Sequence, residues 1–143
     1  MYTGGCLCNA VRFEVDEITG PFELCHCSRC RKGSGSSHAA MVGVNASGYR
    51  ITKGDELIKT VVLDLIDRPP AYAHSFCGDC GSPVTLLNAD ADWLEIPAGS
   101  FDDDIPLTPD KHVYVELKPN WDSITDNLPS YTKSELAKLR SKT

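Results

Sequence analysis

The chain has 143 residues, of which 41% are hydrophobic and 24% charged, a composition typical of one globular domain spanning residues 1–143. Its formal net charge of −6 argues against nucleic acid as a partner, because binding to phosphates depends on basic clusters. No apolar run approaches the roughly 18 residues of a membrane span, and the N-terminus lacks the features of a secretory signal. We therefore expect a cytoplasmic protein without a membrane partner.

Alternating apolar and polar residues predict a mainly β fold. In residues 10–15, Val11, Phe13 and Val15 alternate with polar residues, the period of a half-buried strand. Further β-rich runs follow in chain order at residues 38–44, 49–52, 57–65, 72–76, 83–87, 93–96 and 112–117. Turn signals separate these runs, at residues 33–35, 53–55, 68–70, 88–92 and 101–106. Because no long amphipathic helices alternate with the runs, a parallel α/β sheet is disfavoured.

One helix is predicted, and it lies near the C-terminal end of the sequence. Residues 132–135, Thr-Lys-Ser-Glu, match a capping box and lead into the apolar residues Leu136, Ala137 and Leu139. No repeat or linker interrupts the sequence. The prediction is therefore a single mainly β domain with one short helix.

The seven cysteines form three groups with the spacing of metal ligands: Cys6 and Cys8; Cys25, Cys27 and Cys30; Cys77 and Cys80. In a reducing cytoplasm such thiols are free, catalytic or bound to metal, and an odd number does not suit a disulfide framework. A tight turn lets the two sulfurs of a Cys-x-x-Cys pair approach one ion, and Gly81 permits the positive φ that such a turn often needs. Seven thiolates and two Zn²⁺ would lower the charge by seven and raise it by four, from −6 to −9.

Spacing alone leaves two ways to share seven ligands between two zinc ions. A closed tetrahedral site takes four, which leaves three, the ligand count of a catalytic zinc with one open position. In one partition the closed site consists of Cys27, Cys30, Cys77 and Cys80, which separates Cys25 from the N-terminal pair. In the other it consists of Cys6, Cys8, Cys77 and Cys80. We favour the second partition because it keeps Cys25, Cys27 and Cys30 together as a local group of three sulfurs.

The cysteine motifs and the segments after them carry a resemblance to a known family. The motifs are Gly-Cys-Leu-Cys at residues 5–8, Cys-His-Cys-Ser-Arg-Cys-Arg-Lys at 25–32 and Phe-Cys-Gly-Asp-Cys-Gly-Ser-Pro at 76–83, and the likeness continues through 99–103, Pro109, His112, Trp121, Asp126 and 128–131. They resemble the glutathione-dependent formaldehyde-activating enzyme (GFA) family, whose relatives include centromere protein V. Asn9 stands where the family often has glycine, and we expect the turn to survive because asparagine tolerates left-handed backbone.

The resemblance implies a Mss4-like fold of antiparallel sheets organised around two zinc sites. It implies a structural zinc on Cys6, Cys8, Cys77 and Cys80. It also implies a catalytic zinc on Cys25, Cys27 and Cys30. This second site need not be fully occupied by zinc. The implied activity is that of a carbon–sulfur lyase, which adds a glutathione-like thiol to formaldehyde or another small aldehyde.

Charged residues beside the second group suggest how the substrate is held. A zinc held by three thiolates can deprotonate an incoming thiol at neutral pH. Arg29, Arg31 and Lys32 are candidates to bind the carboxylates of that thiol. His26 is a candidate acid or base, whereas the histidines on predicted strands, His38, His74 and His112, are expected to be structural.

Two other functions are compatible with the sequence. The chain could be a non-catalytic zinc module that binds a protein, or Cys27 and Cys30 could act as a redox pair. A three-cysteine group open to a pocket would favour the enzyme. A fourth protein ligand that closes this group would favour the module.

Overall fold

In the computed structural model, residues 1–64 and 72–142 are described, and they form ten strands and two helices. The strands are β1 Tyr2–Gly5, β2 Arg12–Val15, β3 Ile18–Cys25, β4 Ala39–Asn45, β5 Tyr49–Lys53, β6 Ile58–Leu63, β7 Tyr72–Cys77, β8 Trp93–Pro97, β9 Lys111–Val113 and β10 Ser130–Tyr131. The helices are α1 Ser28–Ser34 and α2 Lys133–Ser141. The mainly β prediction is confirmed, and α2 begins at the predicted capping box, in which Thr132 and Glu135 bond each other's backbone N–H.

The strands form three sheets, with the orders β1-β2-β5, β10-β9-β3-β4-β8 and β6-β7. Pairing is antiparallel in the first and third sheets and between β3, β4 and β8, as expected. In contrast, β9 runs parallel to both of its neighbours, β3 and β10. The largest sheet is therefore mixed, whereas the prediction was of antiparallel sheets.

Several elements differ from the predicted runs. β3 was not predicted because Gly20, at φ 79°, and Pro21 interrupt its pattern, and the register of β3 against β4 shifts at this place. Helix α1 is too short and polar to give a helical period. Residues 83–87 form only an isolated bridge, between Phe76 and Pro83, and the run at 112–117 ends as a strand at Val113. Residue 65 and the predicted turn at 68–70 lie outside the described residues.

The main core lies where the first and second sheets meet. Phe13 and Val15 of β2 pack in one cluster with Val42 and Val44 of β4 and Ile96 of β8, all of them buried. Full burial of such a side chain contributes about 1.5–3 kcal/mol to folding. This core supports β3 and β4, and therefore the cysteine group at the end of β3. Neither helix of the described chain has the length and apolar character needed to cross a bilayer.

Candidate functional site

The first cysteine group joins two turns that are distant in sequence. The backbone N–H of Asn9 donates to the Cys6 carbonyl at 3.0 Å, and that of Gly81 donates to the Cys77 carbonyl at 2.8 Å. Both turn residues have left-handed backbone, with φ 67° at Asn9 and 78° at Gly81, as the sequence predicts. These turns bring together the sulfurs of Cys6, Cys8, Cys77 and Cys80, all within 4.8 Å of one another.

The spacing of these four sulfurs suits one metal ion. The Cys8 sulfur lies 3.6 Å from that of Cys6 and 3.9 Å from that of Cys77. Sulfurs arranged tetrahedrally around zinc at about 2.3 Å lie about 3.8 Å apart, so the group could hold such an ion with little movement. Hydrogen bonding from the Ser82 side chain and backbone lowers the pKa of Cys80 to about 6, which favours its thiolate form.

The second group stands where β3 ends and α1 begins. Cys25 is the last residue of β3, and Cys27 caps α1 by accepting a hydrogen bond from the Cys30 backbone N–H at 3.4 Å. The three sulfurs lie within 4.8 Å of one another, and those of Cys25 and Cys27 are 3.5 Å apart. Over residues 1–64 and 72–142, no histidine, aspartate, glutamate or further cysteine joins this group. The cysteines therefore separate into four and three, the grouping of the second partition.

The three thiols are too close for all of them to ionise without a cation. Hydrogen bonding with Cys27 and Cys30, together with burial, raises the pKa of Cys25. A bound cation reverses this effect, because it offsets the charge of each thiolate. Cys25 and Cys27 are buried and Cys30 is partly exposed, so Cys30 is the side of the group that solvent reaches. The donor set fits a soft divalent ion with one open position.

A buried chain of hydrogen bonds anchors the loop that carries these cysteines. His26 Nε2 lies 2.8 Å from His112 Nδ1, and His112 Nε2 lies 2.8 and 3.0 Å from the two carboxylate oxygens of Asp126. His26 is 1% exposed and His112 is 4% exposed. The His112 hydrogen bond lowers the pKa of Asp126, whereas burial lowers the pKa of His26. With Asp126 ionised, His112 donates to it from Nε2, and one N–H between the two imidazoles completes the chain.

A cavity of about 730 Å³ opens beside Cys30. Helix α1 contributes Arg29, Cys30 and Ser34 to its lining, and His38 and His74 line it as well. Pro83, Val84, Leu86 and Leu87, together with parts of β4, β7 and β8, complete most of the wall. The three-cysteine group is therefore open to a pocket of the size that small-molecule sites have.

The three basic residues proposed from the sequence lie in different surroundings. The Arg29 guanidinium lies 4.3 Å from the centre of the Tyr72 ring and lines the cavity. Arg31 is half-buried and Lys32 is exposed, and neither is part of the cavity lining. Of the three, the structure therefore brings only Arg29 to the cavity beside Cys30.

Two histidines expected to be structural line the cavity, whereas His26, the candidate acid or base, does not. His38 stands just before β4 and His74 lies within β7. The alternation of apolar and polar residues does not show which residues border a cavity. The sequence therefore gives no sign that His38 and His74 line one. Only the family resemblance points to Asp126 in the sequence, because its link to His112 depends on contact between separate segments.

Comparisons with known proteins give a consistent relationship. A family model described as "Glutathione-dependent formaldehyde-activating enzyme" matches residues 1–117. A Halomonas elongata protein provisionally named a glutathione-dependent formaldehyde-activating enzyme is 32% identical over 126 residues, which cover 82% of this chain and 77% of that protein. The crystal structure of a Rhodobacter sphaeroides protein covers 91% of this chain and 99% of its own, with a TM-score of 0.54 and 20% identity, and shows the likeness of fold alone. The chain belongs to the glutathione-dependent formaldehyde-activating enzyme family.

Proposed function

We propose that this protein is a zinc-dependent carbon–sulfur lyase that adds a glutathione-like thiol to formaldehyde or another small aldehyde. One observation carries the proposal: the three-cysteine group has no fourth ligand within the described chain and borders a cavity through Cys30. The names of the family and of the Halomonas elongata relative support the thiol and the aldehyde. In this proposal the catalytic zinc ligands are Cys25, Cys27 and Cys30, and the structural zinc ligands are Cys6, Cys8, Cys77 and Cys80.

The residues around the cavity have separate roles in the proposed addition. Zinc bound to the three cysteines would supply the positive charge that lowers the pKa of the incoming thiol. Cys30 is the partly exposed member of the group, so the thiol reaches the group from the cavity. Arg29 is positioned to bind a carboxylate of that thiol. The buried His26 keeps the cysteine loop in place through its hydrogen bond with His112.

The bond changes of this addition balance without a further reactant. The sulfur–carbon bond forms while the carbonyl π bond breaks, and the proton lost by the thiol ends on the former carbonyl oxygen. His38 and His74 line the cavity and are the groups placed to deliver that proton. His38 Nδ1 lies 3.0 Å from the Ser37 hydroxyl, which restricts the orientation of its ring.

The proposal is tested by measuring exchange at equilibrium, because the uncatalysed addition is already appreciable. NMR exchange rates between free formaldehyde and its glutathione adduct are compared for the zinc-loaded wild type, Cys27→Ser and buffer. We expect faster exchange with the wild type alone. Equal exchange in all three samples would exclude this substrate pair, and the non-catalytic zinc module would then be the better interpretation.

A pair of charge variants tests the role of Arg29. Arg29→Gln should raise the KM for glutathione by about tenfold, the loss expected for one charge-assisted hydrogen bond of about 1.5 kcal/mol. Lys32→Gln is the matched control, since Lys32 lies on the same helix, is exposed and does not line the cavity. If the two variants raise KM equally, Arg29 acts only through the net charge of the surface.

A further inference from the structure

The cavity beside Cys30 extends along β4, away from the cysteine group. Ala39, at the start of β4, pairs with Cys25, and Met41 lies two residues farther along and pairs with Pro97 of β8. A strand rises about 3.4 Å per residue, so Met41 lies about 7 Å farther from the cysteine group than Ala39 does. Ala39, Met41 and Pro97 all line the cavity. The lining therefore continues well beyond the atoms that would react.

Residues 83–87 bring apolar side chains to the lining of the cavity. The Thr85 hydroxyl donates to the Glu95 carbonyl at 2.7 Å, and the Tyr49 hydroxyl donates to the Thr85 carbonyl, which holds residues 83–87 beside β8. This segment contributes Val84, Leu86 and Leu87 to the lining, and Leu86 is 42% exposed. Covering an exposed leucine with an apolar group of a ligand removes apolar surface from water, and this favours binding of that ligand.

Two charged side chains belong to the lining, one near the cysteine group and one farther along β4. Arg29 stands beside Cys30 at the reacting end. Glu95 pairs with Gly43, a further two residues along β4 from Met41, and its carbonyl accepts from the Thr85 hydroxyl, so Glu95 lies beside the farther part of the cavity. In the described lining these two residues are the one cation of Arg or Lys type and the one carboxylate. The carboxylate of Glu95 repels a negatively charged tail, whereas the apolar side chains of residues 83–87 suit a hydrocarbon tail.

We infer that the preferred aldehyde carries an apolar chain of about six carbons, roughly the length that covers 7 Å in extended form. This inference rests on the proposed function, because it places the carbonyl carbon at the Cys30 end. The tail lies along Met41, Val84 and Leu86. Formaldehyde has no tail and leaves this part of the cavity unfilled.

A series of aldehydes tests the inference with the zinc-loaded full chain and glutathione. Exchange kinetics are measured for formaldehyde, propanal, hexanal and 6-oxohexanoate, the last of which has the length of hexanal but ends in a carboxylate. We expect kcat/KM for hexanal to exceed that for formaldehyde by about tenfold or more, as apolar contacts of this size allow. The value for 6-oxohexanoate should fall below that for hexanal, since its charge must enter apolar surroundings.

Two leucines of similar exposure provide matched variants. Leu86→Ser should lower the ratio of hexanal to formaldehyde kcat/KM at least threefold. Leu63→Ser should leave that ratio unchanged, because Leu63, which is 43% exposed, lies on β6 and does not line the cavity. Equal or faster reaction of formaldehyde, or equal effects of the two variants on the ratio, would overturn the inference.

A binding measurement separates failure of this inference from failure of the proposed function. 1-Hexanol, which cannot react, is titrated into the wild type while the methyl NMR signals of Met41, Val84 and Leu86 are observed. Shifts of these signals that weaken in Leu86→Ser support an apolar subsite even if no aldehyde is turned over. Absence of such shifts rules out the subsite, whether or not formaldehyde reacts.

Discussion

Replacing one cysteine in each group tests the proposal that one metal holds the fold and another serves the cavity. Cys77 is fully buried at the end of β7 and belongs to a small cluster with Cys6, Val11 and Val84. A structural zinc contributes on the order of 10 kcal/mol to folding, and a whole domain is stable by about 5–15 kcal/mol. Cys77→Ser removes most or all of this margin. We therefore expect this variant to unfold or aggregate.

Cys27→Ser should leave the protein folded, although Cys27 is equally buried. The Cys27 sulfur caps α1 by accepting from the Cys30 backbone N–H, and serine is among the best residues at this position. The cap is therefore retained, whereas Cys27→Ala would lose it at a cost of about 1 kcal/mol. We expect the unfolding free energy of Cys27→Ser to stay within about 2 kcal/mol of the wild type.

Two measurements check this pair of variants. Urea unfolding followed by circular dichroism gives the stability, and elemental analysis gives the bound zinc, expected to fall in Cys27→Ser from about two ions per chain toward one. Cys27→Ala serves as the control that removes both the ligand and the cap. The division into four and three ligands is wrong if Cys27→Ser unfolds as readily as Cys77→Ser, or if it loses both ions.

Two further predictions concern carboxylates. Asp126→Asn should weaken zinc binding at the three-cysteine group about tenfold and change the visible spectrum of the Co²⁺-substituted protein, because a neutral amide replaces the carboxylate that orients His112 and, through it, His26. An unchanged spectrum and affinity would show that Asp126 does not position this loop. Hydrogen bonds from Arg12 and Thr3 lower the pKa of Asp102 in the folded protein. The ionised carboxylate therefore stabilises the fold at pH values above about 4, the pKa of the unfolded carboxylate, and this stabilisation is lost as the pH falls below that value. The urea midpoint should therefore fall between about pH 5 and 3, less steeply in Asp102→Asn, and identical slopes would contradict this reasoning.

The cysteine turns could be predicted because their geometry is local. Each turn is defined by residues within a few positions of its cysteines, and Asn9 and Gly81 are types that adopt left-handed backbone. The four-cysteine group could be proposed from ligand number together with the closeness of Cys25, Cys27 and Cys30 in the sequence. What spacing could not supply is the approach of segments about 70 residues apart, which depends on how β1 and β7 end.

The substrate side of the site could not be predicted in the same way. Their closeness in the sequence predicts that Arg29, Arg31 and Lys32 surround one ligand, but all three lie on α1. Successive helix residues are separated by about 100°, so Arg29 and Arg31 point about 160° apart. Likewise, the cavity is formed by the register of β4 against β8 and by residues 83–87, which have a strand-like pattern but make only an isolated bridge. Periodicity does not report such long-range arrangements.

The two cysteine groups differ in how many metal ligands the fold needs at each place. The four-cysteine group links distant turns around a small core, so all four ligands serve to close the fold. The three-cysteine group is local, and its supports are independent of a fourth ligand: the β3 pairing with β4 on one side and the His26–His112 hydrogen bond behind the loop. Because the fold does not require a fourth ligand here, a metal held by these three cysteines would keep one position free for a substrate that enters from the cavity.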